Sequence, residues 1–455
     1  MCKKNDFSLH LNTTNSFFMQ NKPYNNYKSS GVQWLGDIPQ HWEVKKITHI
    51  FDKIGSGTTP TAGTPKYYDN GEINWLQTGD LTDGLIDFTN KKITPKALAE
   101  FSTLKIYPKE SLVVAMYGAT IGKIGYLNIE TATNQACCVL GNPNKFITKF
   151  GFYWFMGFKA NIVSMGYGGG QPNISQDLIK SLRLPIPPIA EQEKIANYLD
   201  EKTTKIDQAI NIKKQQIELL RERRQILIHQ AVTQGINPDV PLKNSGVEWI
   251  GEIPKHWEVK RLKNICEINQ NSLPENTNQN FIFKYVDIGS VTLENGILET
   301  EEFIFKNAPS RARRIAKVGN SIVSTVRTYL KAIDYIDENK SDYIYSTGFA
   351  ILQPKNFIYP KFLASFVRSD AFTEQVTINS KGMSYPAINS TDLSILFVVH
   401  CGIEEQKQIV EYIETATEKI ATAIRLKEQE IEKLKEYKTV LINAAVTGKV
   451  MVSSR

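Results

Sequence analysis

Only five of the 455 residues are cysteine (Cys2, Cys137, Cys138, Cys266 and Cys401), and no two of them form a C-x-x-C pair. That spacing argues against a disulfide framework and against a zinc site, so the thiols read as buried or incidental. Histidine is nearly as scarce, six in all and without an H-E-x-x-H pair, so no metal centre is expected. No stretch reaches the roughly 18 consecutive apolar residues of a membrane span. The opening residues also lack the basic-then-apolar order of a secretory leader, which makes a reducing cytoplasm the expected location. Nothing fits the G-x-x-x-x-G-K-[ST] phosphate loop, and the glycines between Gly118 and Lys123 are wrongly spaced for it. No Asn-Pro-Pro-Tyr or Asp-Pro-Pro-Tyr run is present to hold an extruded adenine, and Asn237-Pro238-Asp239 is only a loop lookalike. Catalysis on a nucleotide or a base is therefore not expected of this chain.

What is present is material for two or three folded domains: 41% hydrophobic residues, 10% aromatic and an ordinary 22% charged. A net charge of +7 is a mild excess that favours approach to phosphate without proving it. The stronger signal is repetition, because Lys28 to Ile47 reads KSSGVQWLGDIPQHWEVKKI and Lys243 to Leu262 reads KNSGVEWIGEIPKHWEVKRL, at an offset of 215 residues. Further on, Glu191-Gln192 and Glu405-Gln406 each open a long helical pattern, and Ala231-Val232-Thr233 and Ala445-Val446-Thr447 close them, at an offset of 214. An offset that barely moves means that one whole unit of opening motif, globular body and long helix was duplicated.

The two long patterns carry the same apolar stripe at alternating three and four spacing. Leu199, Thr203, Ile206, Ile210, Ile217, Leu220, Leu227 and Ala231 form the first, and Ile413, Thr417, Ile420, Ile424, Ile431, Leu434, Leu441 and Ala445 the second. By itself such a seam is equally the mark of a plain dimerisation coil. Carried twice in one chain, each time beside a copied domain, it predicts an antiparallel pair of helices, each of about 42 residues and about 63 Å. The pair would hold two similar bodies in opposed orientation, with pseudo-twofold symmetry suited to duplex DNA. Gly235, Pro238 and Pro241 end the first helix.

The expected organisation is a polar N-terminal arm (1–26), a first domain (27–188), a spacer helix (189–234), a linker (235–245), a second domain (246–402), a C-terminal spacer helix (403–449) and a tail (450–455). The fold class is α/β, or α+β, with short runs such as Ser111 to Met116 and Ser321 to Val326 reading as strands of a strongly bent or barrel-like sheet. His41-Trp42 and His256-Trp257 of the opening motif read as core. In the second body Arg311, Arg313 and Arg314, then Arg327, Tyr329 and Lys331, suit phosphates and base edges, although charge runs are as often a solvated face. The latter three align with the Tyr117 to Lys123 loop of the first body.

Taken together, these residues resemble the specificity subunits of type I restriction-modification enzymes. The resemblance rests on Gly36 to Trp42, Gly57-Thr58-Thr59-Pro60, Trp75 to Leu81, Ala132-Thr133-Asn134-Gln135, Pro172-Asn173-Ile174-Ser175 and Pro185 to Gln192. In the second half Val326 to Lys331 and Ser346-Thr347-Gly348-Phe349 are equally typical, and nearly everything after residue 27 is covered. One departure is the absence of a proline-rich lead before Glu405, where Val399 to Glu404 stands instead, leaving that helix start less sharply defined. The resemblance implies a non-catalytic chain whose two target-recognition domains bind a bipartite, asymmetric site on double-stranded DNA. It also implies two modification subunits bringing S-adenosylmethionine for adenine methylation, restriction subunits using ATP and Mg2+, and a gap between half-sites fixed by the helices. A specificity chain of a related type II system, a free-standing DNA-binding regulator and an enzyme in its own right are the rival readings. Candidate DNA contacts in the first body are Ser56, Thr58, Thr59, Tyr117, Thr120, Lys123, Asn134, Gln135, Gln171 and Asn173. Lys381, Ser384, Tyr385 and Ser346 join the arginines, Tyr329 and Lys331 in the second.

Overall fold

The computed structural model describes residues 23–166 and 173–452, so that Gln171 and most of the N-terminal arm lie outside the described residues. The chain divides into two compact units, Met1–Lys213 with Gln429–Arg455, and Lys214–Glu428. Each unit therefore contains one globular body, part of the helix Ile189–Gln234 and part of the helix Ile403–Val446. No helix among the described residues is long and apolar enough to cross a membrane.

The duplicated opening motif folds identically in both units. Tyr27–Ser29 pairs antiparallel with Asp37–Pro39 in the first, and Leu242–Asn244 with Glu252–Pro254 in the second. The next strand, Glu43–Lys46 or Glu258–Arg261, pairs with the strand leading into the long helix, Arg183–Ile186 or Phe397–His400. The remaining strands do not form the single bent sheet expected from the sequence; they divide between a five-stranded and a three-stranded sheet in the first body, and between two four-stranded sheets and a two-stranded one in the second. In the first unit the larger sheet runs in the order Phe51–Gly55, Cys137–Pro143, Leu112–Ala115, Ile124–Leu127 and Gly84–Ile86. The second unit repeats this core as Cys266–Ile268, Phe349–Pro354, Ser321–Ser324 and Ile333–Tyr335. The smaller sheet of the first unit and the other four-stranded sheet of the second each hold a parallel pair, Ile73–Leu76 with Ala132–Thr133 and Ile282–Val286 with Ile344–Ser346.

Why the strands divide is visible in Leu112–Ala115, which is buried at every position and so needs cover on both faces. Alternation sends Val113 and Ala115 into a cluster with Leu76 of the smaller sheet. Leu112 meets Gly151 on the helix Thr148–Ser164. Between the sheets, Gly57 passes so close to the Thr133 carbonyl that a Cβ there would lie 1.8 Å from its oxygen. The Gly57 amide also donates to Thr133 Oγ1 at 3.1 Å. Gly57→Ala is accordingly expected to destabilise the first unit by about 3 kcal/mol or more, read in a urea melt. A melt within error of the unsubstituted chain would refute this close approach.

Within each unit the two helices run antiparallel. In the first, Lys438 bonds Asp207 at 2.7 Å while Lys213 meets Glu430, so one number rises as the other falls. In the second, Lys427 donates to Gln216 at 2.7 Å. Such exposed pairs contribute little individually. The apolar seam contributes more, with Leu199, Ile206 and Ile210 buried in the first unit and Ile217, Ala231, Ile413 and Ile420 in the second.

The Glu-Gln pair that opens each helix fastens it to its body. Gln192 is wholly buried; its Oε1 accepts from the Ile147 amide at 2.8 Å and its Nε2 donates to the Pro187 carbonyl at 2.8 Å. Gln406 does the same with Tyr359 and Cys401, both at 2.7 Å. The second helix start is thus held without the missing prolines. Glu191 accepts from His41 at 2.9 Å, and Glu405 from His256 at 3.0 Å and from Trp257 Nε1 at 3.1 Å. This corrects one expectation: Trp42 and Trp257 are core, but the two histidines are half exposed and serve as latches to the helix start. Each tryptophan also receives the end of the other copy's helix. Gly448 closes on Trp42 and Pro39, and Gly235 on Trp257 and Pro254.

Residues of the N-terminal segment complete the first unit. Tyr27 donates to the Gly448 carbonyl at 3.0 Å, and Tyr24 packs edge-on against Trp42 and bonds Glu191. Cys137, Cys138, Cys266 and Cys401 are buried and unpaired, and burial pushes the thiols of Cys138 and Cys266 up to about 12.

Candidate nucleic-acid interface

The Tyr117 to Lys123 loop and the Arg327 to Lys331 loop leave equivalent strands. Leu112 faces Tyr126 in the first unit as Ser321 faces Tyr335 in the second, so Gly118 corresponds to Arg327 and Gly122 to Lys331. All four are left-handed, with φ +81° and +73° at the glycines and +50° and +46° at Arg327 and Lys331. The same tight turn is therefore built from residues that adopt it without strain in one copy and from two long cationic side chains in the other.

Two further segments are fastened to the chain beside this turn. In the first unit Met116 donates to the Ala136 carbonyl and accepts from the Ile174 amide, both at 2.8 Å. In the second, Thr325 donates to Gly348 at 2.7 Å and accepts from Ile388 at 2.8 Å. This junction gathers most of the residues expected from the sequence. Tyr117, Thr120 and Lys123 lie on the turn, Asn134 and Gln135 on the second segment and Asn173 on the third. Thr59 donates to Gln135 Oε1 at 2.7 Å, and Ser56 reaches Gln176 at 3.5 Å, bringing the Gly57 loop to the same place. Thr58 is half-buried, its carbonyl accepting from Trp75 Nε1 at 3.3 Å. Below Thr59 a groove of about 460 Å³ is lined by Tyr68, Trp75, Gln77, Lys91 and Lys92.

In the second unit Arg327, Tyr329, Lys381, Ser384 and Tyr385 are exposed, with the Arg327 guanidinium 5.2 Å from the centre of the Tyr385 ring. Arg311 is exposed beside Asp287 at 3.4 Å, and its Nε donates to the Tyr285 hydroxyl at 3.2 Å. Three expected contacts are engaged within the protein. Lys331 pairs with Glu374 at 3.1 Å and with Asp370 at 3.6 Å. Arg313 lies over the Phe305 ring at 4.8 Å and donates to the Ala312 carbonyl. Arg314 is half-buried rather than free: its Nε is buried, without a hydrogen-bond partner among the described residues, and burial lowers the pKa of its guanidinium.

Ser346 requires correction as a contact. It is only 1% exposed, closing a strand, and its hydroxyl accepts from the Gly348 amide at 3.3 Å. The parallel pairs place Thr347 where Gln135 stands in the first unit, and Thr347 is exposed. No alternation in the sequence separates the two, because Ile344, Tyr345 and Ser346 are all buried and the strand ends at Ser346. Ser346→Ala is expected to lower stability by about 1 kcal/mol while leaving DNA affinity within about twofold, read by melting and by fluorescence anisotropy. Met383, fully exposed at a loop tip, and the Lys91-Lys92 pair at the groove were not among the expected contacts, because neither carries a sequence pattern.

Comparison with known proteins places this geometry. A model of the type I restriction modification DNA specificity domain matches twice, at residues 39–220 and 254–436. Over 432 residues the chain is 23% identical to the type I restriction enzyme MjaVIII specificity subunit of Methanocaldococcus jannaschii, covering 92% of this chain and 95% of that one. It is 30% identical over 247 residues to the MjaIX specificity subunit of the same organism, 52% of this chain and 54% of the other. The fold is shared with a chain from a structure addressing complex assembly and conformational transition of the type I R-M system. There the TM-score is 0.68 at 16% identity, over 91% of this chain and 99% of that one. It is shared also with the HsdS subunit of Thermoanaerobacter tengcongensis, with a TM-score of 0.52 at 16% identity, over 91% and 98% of the two chains. With two matched domains that repeat one topology and one loop junction, the chain belongs to the specificity subunits of type I restriction-modification systems.

Proposed function

We propose that each body reads one half of a bipartite, asymmetric site on double-stranded DNA, and that partner subunits supply the chemistry. The observation that carries this reading is the contrast at the duplicated junction. Backbone hydrogen bonds there are kept from one unit to the other, while exposed Gly118 and Gln135 of the first are replaced by exposed Arg327 and Thr347 in the second. A scaffold copied with different side chains at one exposed place suits two different base sequences, because base edges are read by side-chain chemistry and phosphates by charge. In this reading the chain has no catalytic part. S-adenosylmethionine belongs to two modification subunits that methylate adenine, and ATP and Mg2+ to restriction subunits in the same complex.

The test is to purify the chain with and without its methyltransferase subunits and to map methylated adenines on genomic DNA by sequencing. Methylation confined to one two-part motif, and only with both components present, is the expected result. Methylation by the chain alone would make it an enzyme. Specific DNA binding with no methylation in any combination would favour a regulator.

A further inference from the structure

In the second unit, Lys381 and Ala387 exchange backbone hydrogen bonds of 2.8 and 2.9 Å and so close a five-residue loop, Gly382 to Pro386. Gly382 turns the chain at φ +108°. The base of this loop is fixed to the neighbouring turn: Thr328 donates its amide to the Pro386 carbonyl at 3.3 Å, and its hydroxyl meets that of Ser380 at 2.9 Å. On this rigid base the tip carries Met383, fully exposed, and Tyr385, 65% exposed beneath Arg327. Val326, Tyr329 and Leu330 on the adjoining turn are also exposed. Among the described residues no packing explains an apolar tip on a loop pinned this firmly, and an apolar patch beside a guanidinium held over an aromatic ring matches the way proteins enter a stacked duplex.

Resting on the reading that this body contacts duplex DNA, we propose that Met383 is a wedge that enters and partly unstacks one base step of the half-site read by the second unit. A thioether on an unbranched stem is thin and deformable enough to slide between bases. Arg327 is delivered beside it with its guanidinium held over the Tyr385 ring, where it meets the phosphate that the distorted step brings close. The left-handed backbone of Arg327, at a position that is glycine in the first unit, fits this role: strain is kept where the side chain is needed. Pyrimidine–purine steps unstack most easily, so the second half-site is expected to contain TA or CA/TG at the wedge.

The experiment uses the chain bound to its methyltransferase subunits and the motif found by methylation mapping. 2-Aminopurine is placed in turn at each position of the two half-sites. A fluorescence rise of several-fold is expected at one step away from the methylated adenine, in one half-site only. Met383→Ala is expected to abolish that rise and weaken binding about tenfold, and Met383→Leu to restore both. The melting temperature should not move, because the side chain is fully exposed. A rise that survives Met383→Ala, or the absence of any rise away from the methylated adenine while the motif is still bound, overturns the wedge and leaves the two-body reading standing. Failure to bind any motif overturns both.

Discussion

Trp257→Ala is expected to destabilise the second unit by about 3–5 kcal/mol, enough to unfold much of it at ordinary temperature. The indole is wholly buried in a cluster with Ile228 and Val232 of the first long helix and with Ile409 and Ile413 of the second. Losing it therefore opens a cavity where body and both helices meet. The equivalent tryptophans are not equal, however. Trp257 Nε1 donates to Glu405 at 3.1 Å, whereas Trp42 Nε1 is buried without a hydrogen-bond partner among the described residues, because the Glu191 carboxylate is taken by Tyr24 and His41. Phenylalanine at 257 should thus cost about 1–2 kcal/mol more than phenylalanine at 42, where a buried unsatisfied donor is removed. Urea melts of the full chain followed by fluorescence would show the difference. Equal losses at the two positions would mean that the indole hydrogen bond contributes nothing.

The second large effect is on recognition. Arg327→Ala with Tyr385→Ala is expected to weaken binding of the methyltransferase complex to its site about 100-fold. The salt slope should fall by about one counterion. Because the guanidinium sits 5.2 Å from the ring centre, the single substitutions should not add: each removes part of what the other presents. Arg327→Gly separates backbone from side chain. It keeps the turn that Gly118 makes in the first unit and relieves the left-handed strain, so it should melt no lower than the unsubstituted chain while binding DNA about tenfold more weakly. A variant that bound as before would place the reading surface elsewhere, and one that melted lower would show that the turn does not tolerate glycine.

What the sequence makes legible here follows from repetition. Two matched segments at nearly the same offset locate the bodies, and apolar spacing of three and four locates the helical seams, whose members are buried or half-buried. The Glu-Gln pair marks each helix start because a buried glutamine there ties two backbone groups of the body. Contacts made far along the chain are silent in sequence. Nothing local indicates that Gly448 closes on Trp42, or that His41 reaches Glu191 and so stays at the surface. The division of the strands among separate sheets is silent too, since a short apolar run reads the same in one bent sheet or in stacked ones. At the proposed reading surface, residue type alone does not separate Ser346, which faces inward, from Thr347, its exposed neighbour. Lys331 and Arg313 likewise look like Arg327 until Glu374 and Phe305 are seen beside them.

Two-part reading by a duplicated chain is tested most directly by moving one reading loop and sequencing the methylated adenines. Grafting Tyr117 to Lys123 of the first unit in place of Val326 to Ala332, a replacement of equal length between equivalent strands, should change or relax the bases of one half of the methylated motif. The other half should stay as it was. If both halves change together, or the motif stays intact, the bodies do not read DNA separately.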